Sequence, residues 1–237
     1  EIEKIIYKLQ KLVSDYSPNK NIIDHTFVKN VNNLKKWFYI IRRQKIQTLF
    51  NSTNIRLYDV FLSSFILFLL SPLIIFLFFI CLFESGSPIF VQKRVGKDKK
   101  AFNLIKFRTM KRNTPSLASH LINEKSITRF GKVIRLLKLD ELPQLINVIS
   151  GEMSLVGPRP CLYNQFELIK LREQYNLFSV KPGLTGLAQI NGIDMSDPKK
   201  LAETDLLMIL KTREIDYFRY LFLTFFGKGM GDKVCKK

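Results

Sequence analysis

Residues 139–160 read LDELPQLINVISGEMSLVGPRP and place two adjacent acids, Asp140 and Glu141, on a strongly basic chain. Pro143 suits the first turn of a helix, where its missing N–H costs nothing, and Gly151 suits the end of one. The spacing therefore predicts a short helix that Asp140 caps or opens and that Gly151 closes.

The acidic pair has two interpretations. At the start of a helix both carboxylates meet the positive end of the helix dipole, which favours their ionised forms and also attracts phosphate. An ionised Asp is a competent nucleophile towards phosphorus, and a divalent cation would relieve the repulsion between neighbouring acids. The alternative is a plain helix cap followed by a favourable Glu. The turn Gly157–Pro160 favours the catalytic interpretation. Its two prolines fix the backbone around Arg159, and a guanidinium can bind a phosphate through two hydrogen bonds.

Composition limits the class of protein. The chain has 237 residues, 46% of them apolar, which is enough for one domain with a sizeable core. Its formal charge of +18 implies an anionic partner, but charge alone does not choose between nucleic acid, acidic lipid and phosphorylated metabolites. The three cysteines lie far apart without a CxxC motif, so we expect reduced thiols on the cytosolic side and no zinc site.

Residues 58–83 form the most apolar stretch, with Asp59 at its edge as the only charge. A transmembrane helix needs ~20 apolar residues, so length alone allows a span. Ser71-Pro72 in the middle predicts a sharp bend, with the Ser71 hydroxyl bonding a backbone group that the bend frees. Both flanks are strongly basic, and basic flanks tend to stay on the cytoplasmic side of a membrane. The two ends are therefore expected on the same side, which requires a re-entrant segment. The alternative is a kinked helix that spans the membrane with one basic flank outside.

Other elements follow from local patterns. Residues 89–92 and 102–105 are short runs of strand formers separated by a turn around Gly96, which predicts a β-hairpin. Residues 129–138 predict a short basic helix that leads to the acidic pair. Residues 213–226 predict a helix with one apolar face, which suits either the core or a membrane interface.

Four blocks of the chain resemble the small monotopic bacterial phosphoglycosyl transferases, the sugar transferases that start glycan assembly on a polyprenyl phosphate. The blocks are LSP at 70–72, KFRTM at 106–110, LDELPQLINVISGEMSLVGPRP at 139–160 and KPGLTGLAQING at 181–192. With Asp205 they cover roughly residues 56–234 in the family's order. The resemblance implies a helix-break-helix wedge in one leaflet of the bacterial inner membrane, with a cytosolic catalytic domain.

The resemblance also implies a reaction. It is the transfer of a phosphosugar from a UDP-sugar to a polyprenyl (undecaprenyl) phosphate, with release of UMP. Asp140 matches the family's nucleophile, which forms a covalent aspartyl-phosphosugar intermediate. Glu141 matches the second acid, which either helps Asp140 to hold Mg²⁺ or manages a proton. The implied partners are therefore the two substrates and the inner leaflet of an anionic membrane.

Several further residues are candidates for binding the substrates. The expected phosphate contacts are Arg159, Lys106, Arg108 and Arg135. The last three could equally be solvated charges on a helix or strand. Gln189 and Asp205 match family positions at the site, which implies a hydrogen bond to the donor from Gln189 and a metal or sugar contact from Asp205. Departures from the family pattern, such as Leu187 where many relatives have Trp, leave the sugar open.

We therefore expect an α-rich α+β fold with a small β-hairpin, divided into three regions. Residues 1–55 are a basic, mostly helical segment, residues 56–86 the re-entrant membrane helix, and residues 87–234 the catalytic domain with interfacial helices. The second half of the first region could lie on an anionic membrane or be a solvated basic helix.

Two other functions remain open on sequence alone. Direct glycosyl transfer to a lipid phosphate would release UDP instead of UMP. A non-catalytic basic membrane adaptor or nucleic-acid binder would release neither nucleotide. The acidic pair repels polyanions and the basic stretches hold few aromatic residues, so we expect no nucleic-acid partner.

Overall fold

The structure, a computed structural model, describes residues 50, 52–112, 114 and 123–227, all within one compact unit. The predictions for residues 1–49 lie outside the described residues, and the three predicted regional boundaries stay predictions. The fold is mostly helical with a small two-stranded sheet, as the sequence predicts.

The apolar stretch forms two helices, α1 (Thr53–Leu69) and α2 (Ser71–Ser85), bent by 68° at the break. Pro72 lies in the first turn of α2, where no N–H is required. The Ser71 hydroxyl donates to the carbonyl of Phe68 at 2.8 Å, so the predicted bend and the predicted role of Ser71 are both confirmed. Among the described helices, none could cross a membrane alone, whereas this bent pair has the length and composition to do so.

The bent pair exposes large apolar side chains on both helices. They are Leu57, Phe61, Phe65, Phe68, Leu69, Ile75, Phe76, Phe78, Phe79 and Phe83. Soluble monomers rarely expose a contiguous apolar patch of this kind, so this surface is typical of one that contacts lipid or a partner.

A buried carboxylate fastens α1 to the rest of the unit. Asp59 is 2% exposed, and one oxygen, Oδ1, accepts bonds from Ser154 Oγ at 3.0 Å, the Leu155 N–H at 2.8 Å and the Tyr217 hydroxyl at 2.8 Å. A buried charge without such donors would be costly. The single charge in the apolar stretch therefore has a structural role.

The predicted hairpin is confirmed, with longer strands than the sequence suggests. β1 (Ile89–Val95) pairs antiparallel with β2 (Ala101–Phe107). The register places Arg94 opposite Phe102 and Lys106 opposite Phe90. Because side chains alternate between faces, Arg94 and Lys106 lie on the same face of the hairpin.

The remaining elements pack around one main core. In chain order they are α3 (Arg129–Leu136), α4 (Gln144–Ser150), β3 (Ser154–Val156), α5 (Phe166–Gln174), β4 (Gly183–Thr185), α6 (Leu187–Ile190), α7 (Pro198–Lys211) and α8 (Glu214–Phe225). β3 and β4 form a short parallel pair. α3 confirms the predicted basic helix, and α8 confirms the predicted C-terminal helix.

Most of the apolar face of α8 faces outward, although Leu221 packs against the core. Ile215, Phe218, Phe222 and Phe225 are exposed, while Tyr217 on the other side is buried. Of the two interpretations that the sequence allows, this exposure favours an interfacial helix over a core helix.

Candidate active site

The acidic pair lies in a 3₁₀ turn, Leu139–Glu141, that precedes α4. The prediction of one helix opened by Asp140 is therefore wrong. The N–H of Leu142 donates to the carbonyl of Leu139 at 3.3 Å. Pro143 has no N–H with which to continue the α-helical pattern, so α4 begins only after it. Gly151, with φ 90°, ends α4 as predicted.

The Asp140 side chain is 7% exposed and lies beside the bent helix pair. Its neighbours Leu139 and Leu142 pack against a cluster that includes Leu77 and Cys81 of α2. The predicted nucleophile therefore lies close to α2, one of the two helices that carry the exposed apolar side chains.

A small open pocket, here called the cationic pocket, lies next to the acidic turn. Its lining residues are Arg94, Leu104, Lys106, Glu141, Gln144, Arg159, Pro160 and Gly183. Three of them are cations and one is an acid. Such a concave cluster of cations is suited to an anionic ligand with several oxygens, such as a diphosphate.

Arg159 and Glu141 meet in this pocket. The Arg159 guanidinium forms an ion pair with Glu141, and the side chains are 38% and 15% exposed. Burial alone would raise the pKa of Glu141, but Arg159, with Lys138 and Lys106, holds it below its usual value. Glu141 is therefore ionised at neutral pH, and part of the Arg159 side chain remains open to solvent.

The turn that carries Arg159 is fixed by close backbone contact with β4. The Gly157 N–H donates to the Thr185 carbonyl, and the Gly183 N–H donates to the Pro158 carbonyl, both at 2.9 Å. A Cβ at Gly183 would lie 2.0 Å from the Gly157 nitrogen, so only glycine allows this approach. The KPG and GPRP blocks thus form one backbone platform beneath the pocket.

Lys106 is a cation of the pocket with an unusually low pKa. Burial lowers its pKa to about 8, with Asp140 opposing that shift and Arg94 and Arg135 adding to it. Lys106 is therefore within electrostatic reach of the predicted nucleophile. Its charge is lost in the mildly alkaline range, unlike that of an ordinary lysine.

The other two predicted phosphate contacts are not among the described pocket-lining residues. The Arg108 guanidinium donates to the carbonyls of Ser87 and Ile89 and lies over the Phe90 ring, 5.3 Å from its centroid, so it holds the start of β1. Arg135 is buried, with a 3.4 Å contact to Thr109 Oγ1. Their phosphate contacts stay predictions.

Gln189 and Asp205 are both buried. The Gln189 amide has no hydrogen-bond partner for either polar atom among the described residues. The Asp205 side chain is 0% exposed, and its Oδ2 accepts a 2.7 Å bond from Arg172. The predicted contact of Asp205 with metal or sugar stays a prediction, and in this structure the carboxylate is engaged by Arg172.

Comparison with known proteins places this arrangement in a family. Residues 50–228 match the model of the bacterial sugar transferases. The chain belongs to the bacterial sugar transferase family. This family covers every element described here, from the bent helix pair to α8.

Relatives in the family differ in length. The chain is 42% identical over 152 residues to the uncharacterized sugar transferase EpsL of Bacillus subtilis, covering 64% of this chain and 75% of that protein. It is 38% identical over 154 residues to the undecaprenyl-phosphate galactose phosphotransferase of Salmonella typhimurium, covering 58% and 32%. It is 39% identical over 188 residues to the UDP-glucose:undecaprenyl-phosphate glucose-1-phosphate transferase of Klebsiella pneumoniae, covering 75% and 40%. The chain thus matches less than half the length of the last two.

The donor set of this sugar transferase fits Mg²⁺ only together with a substrate. Among the described residues, no group of three or more His, Cys, Asp or Glu side chains converges on one point. Mg²⁺ commonly binds one or two carboxylates plus phosphate oxygens and water, and does not need a cage made only of protein groups. The adjacent acids Asp140 and Glu141 match that mode.

Three residues near the pocket were not singled out from the sequence. Arg94 and Gln144 line it, and Arg172 holds the turn that carries Arg159. The period of β1 offered a signal for Arg94, since Gln92 and Arg94 share the face that carries Lys106 across the hairpin. Arg172 lies in α5, whose sequence pattern gives no such signal.

Proposed function

We propose that this protein transfers a sugar phosphate from a UDP-sugar to undecaprenyl phosphate and releases UMP. The observation that carries the proposal is the cationic pocket, where Arg94, Lys106 and Arg159 face one ionised acid next to Asp140. The names of the Salmonella and Klebsiella relatives support the substrate class. The product would be polyprenyl-diphosphate-sugar, the first membrane intermediate of a glycan or polysaccharide.

In the first proposed step, an oxygen of the Asp140 carboxylate attacks the sugar-bearing phosphorus of the donor. A bond forms between that oxygen and phosphorus, while the bond from this phosphorus to the bridging oxygen breaks and UMP leaves with the electron pair. Arg159 and Lys106 neutralise charge on the phosphate oxygens as it shifts towards the leaving group. The aspartyl-phosphosugar that results keeps the sugar on the protein.

In the second proposed step, an oxygen of the lipid phosphate attacks the same phosphorus and the Asp140 carboxylate is released. Two steps suit a site next to the bent apolar pair, since the hydrophilic donor and the lipid acceptor need not be bound together. Bound Mg²⁺, held by Asp140 and Glu141, would neutralise charge on the diphosphate. Glu141 also orients Arg159 through their ion pair.

The nucleotide product tests this proposal. We expect the protein, supplied with Mg²⁺, undecaprenyl phosphate and a panel of UDP-sugars, to release UMP with one of them in proportion to lipid product. UDP without UMP would indicate direct glycosyl transfer and refute the mechanism. Neither nucleotide with any sugar would favour a non-catalytic adaptor.

We propose that the bent pair α1–α2 enters and leaves the same leaflet of the bacterial inner membrane, with the pocket on the cytosolic side. The exposed apolar side chains of both helices and of α8 support a membrane contact. In a background without native cysteines, Asn54→Cys and Lys93→Cys should be labelled by an impermeant maleimide from the same side of sealed vesicles. Labelling from opposite sides would identify a spanning helix instead.

Lys106 predicts a particular pH dependence for the donor. Its cation is present below its pKa of about 8 and lost above it, so kcat/KM for the UDP-sugar should fall as pH rises through that value. Lys106→Arg keeps the charge at all accessible pH values, so its profile should stay level over the same range. An unchanged alkaline limb in Lys106→Arg would assign that limb to another group.

A further inference from the structure

Two arginines, Arg172 and Arg94, donate hydrogen bonds to the backbone of the turn that carries Arg159. Arg172 Nη1 donates to the Arg159 carbonyl at 2.8 Å, and Arg94 Nη1 donates to the next carbonyl, that of Pro160, at 3.0 Å. Pro158 and Pro160 already fix φ on either side of Arg159. With both following carbonyls bonded to guanidinium groups, little rotational freedom remains in the backbone that aims the Arg159 side chain.

Arg172 is itself fixed by a buried ion pair. Its Nη2 donates to Asp205 Oδ2 at 2.7 Å, and the two side chains are 3% and 0% exposed. Burial raises the pKa of Asp205, and the Arg172 guanidinium opposes that shift. The contact joins α5 to α7 across the core. It connects Asp205 to the Arg159 backbone without either group of the pair reaching the pocket surface.

The Arg94 branch differs because its side chain lines the pocket. Its Nε and Nη2 both donate to Gln92 Oε1, at 3.1 and 2.7 Å. Arg94 can therefore contact a ligand as well as hold the turn, and its substitution would mix the two effects. Substitution of Arg172 tests the turn alone, because Arg172 bonds the Arg159 carbonyl but does not line the pocket.

We propose that Arg172, oriented by Asp205, is a positioning residue for Arg159. Its hydrogen bond to the Arg159 carbonyl directs the Arg159 guanidinium towards Glu141 and towards a bound phosphate. On this basis Asp205 serves the reaction through Arg172 and touches neither sugar nor metal. The proposal rests on the proposed function wherever turnover is the readout, and the experiment below includes a readout that needs no turnover.

The proposal predicts coupling between Arg172 and Arg159. Arg172→Lys keeps a cation beside Asp205 but cannot satisfy both acceptors in the same geometry, so we expect about a tenfold loss in kcat/KM for the UDP-sugar with little change in melting temperature. In an Arg159→Ala background the same substitution should cause almost no further loss, because the side chain that it positions is gone. Lys170→Ala, which removes an exposed cation from the same helix, serves as the control and should have no effect in either background.

The same cycle is measured with inorganic pyrophosphate binding by calorimetry, which is independent of catalysis. The affinity should fall with Arg172→Lys in the parent and stay unchanged in the Arg159→Ala background. If the parent releases no UMP, the proposed function fails while this binding cycle still tests the positioning role. A parent that binds no pyrophosphate would overturn the proposal, because Arg159 would then have no phosphate to be aimed at.

Asp205→Asn provides a second variant in case Arg172→Lys does not fold, since it is nearly isosteric and leaves Arg172 in place. The positioning role predicts that its loss, too, vanishes in the Arg159→Ala background. Losses that multiply in the double variants, in turnover and in pyrophosphate affinity, would overturn the proposal. For Asp205→Asn that result would point to direct contact with the ligand.

Discussion

Asp140→Asn should abolish UMP release, with a loss on the order of 10³-fold or more, and should also abolish any covalent phosphosugar adduct. The amide is nearly the same size as the carboxylate but is a poor nucleophile and carries no charge. Because Asp140 is almost fully buried in a short turn, the isosteric change is the one that least disturbs its surroundings. The measurement combines a UMP assay with acid quenching after incubation with a UDP-sugar labelled at the sugar.

The adduct gives this prediction a second, independent readout. In the parent protein, labelled sugar phosphate should accumulate when undecaprenyl phosphate is left out, and it should map to the peptide that contains residue 140. Addition of the lipid should discharge it. Glu141→Gln is the informative comparison, since it removes the neighbouring charge and leaves the proposed nucleophile. An adduct mapped to another residue, or near-normal turnover in Asp140→Asn, would contradict the assigned role.

The elements that the sequence predicts well are those set by local signals. The two runs of strand formers on either side of Gly96 predict the hairpin, and Ser71-Pro72 predicts the break between α1 and α2. The acidic turn is the instructive failure. Pro143 precedes α4, as its fit to a first helical turn predicts. It has no N–H to donate to the Leu139 carbonyl, however, and that carbonyl accepts from Leu142 in a 3₁₀ turn instead. The same residue both starts one helix and prevents its extension backwards.

Site residues can be predicted where they lie in recognisable sequence motifs. They are missed where contacts with residues distant in the sequence determine their positions. The motifs predict roles for Lys106, Glu141 and Arg159, and the fold brings all three to one pocket. Arg94 and Arg172 owe their positions to backbone carbonyls 66 and 13 residues away. Nothing in a helix or strand period reveals which distant carbonyl a guanidinium will meet. The parallel pair β3–β4, with three residues in each strand, is also too short to leave a pattern.

Arg159→Ala should lower kcat/KM for the UDP-sugar by about 10²- to 10³-fold, the usual effect of removing one group that stabilises charge in a transition state. Loss of the guanidinium also removes the cation that forms an ion pair with Glu141 at the pocket. Arg159→Lys restores charge but not the forked geometry, so we expect recovery to within roughly tenfold of the parent. Lys170→Ala again controls for the loss of one surface cation.

The pattern of kinetic constants distinguishes the proposed role from simple attraction of the substrate. If Arg159 acts mainly on the developing charge, kcat should fall with kcat/KM; if it only attracts the donor, KM should rise with kcat unchanged. Added salt provides a further check. Attraction by the overall charge of +18 weakens as the screening length shortens, whereas a contact inside the pocket is much less affected. A ratio of parent to Arg159→Ala activity that collapses at high salt would therefore reassign Arg159 from the reaction to long-range capture of the donor.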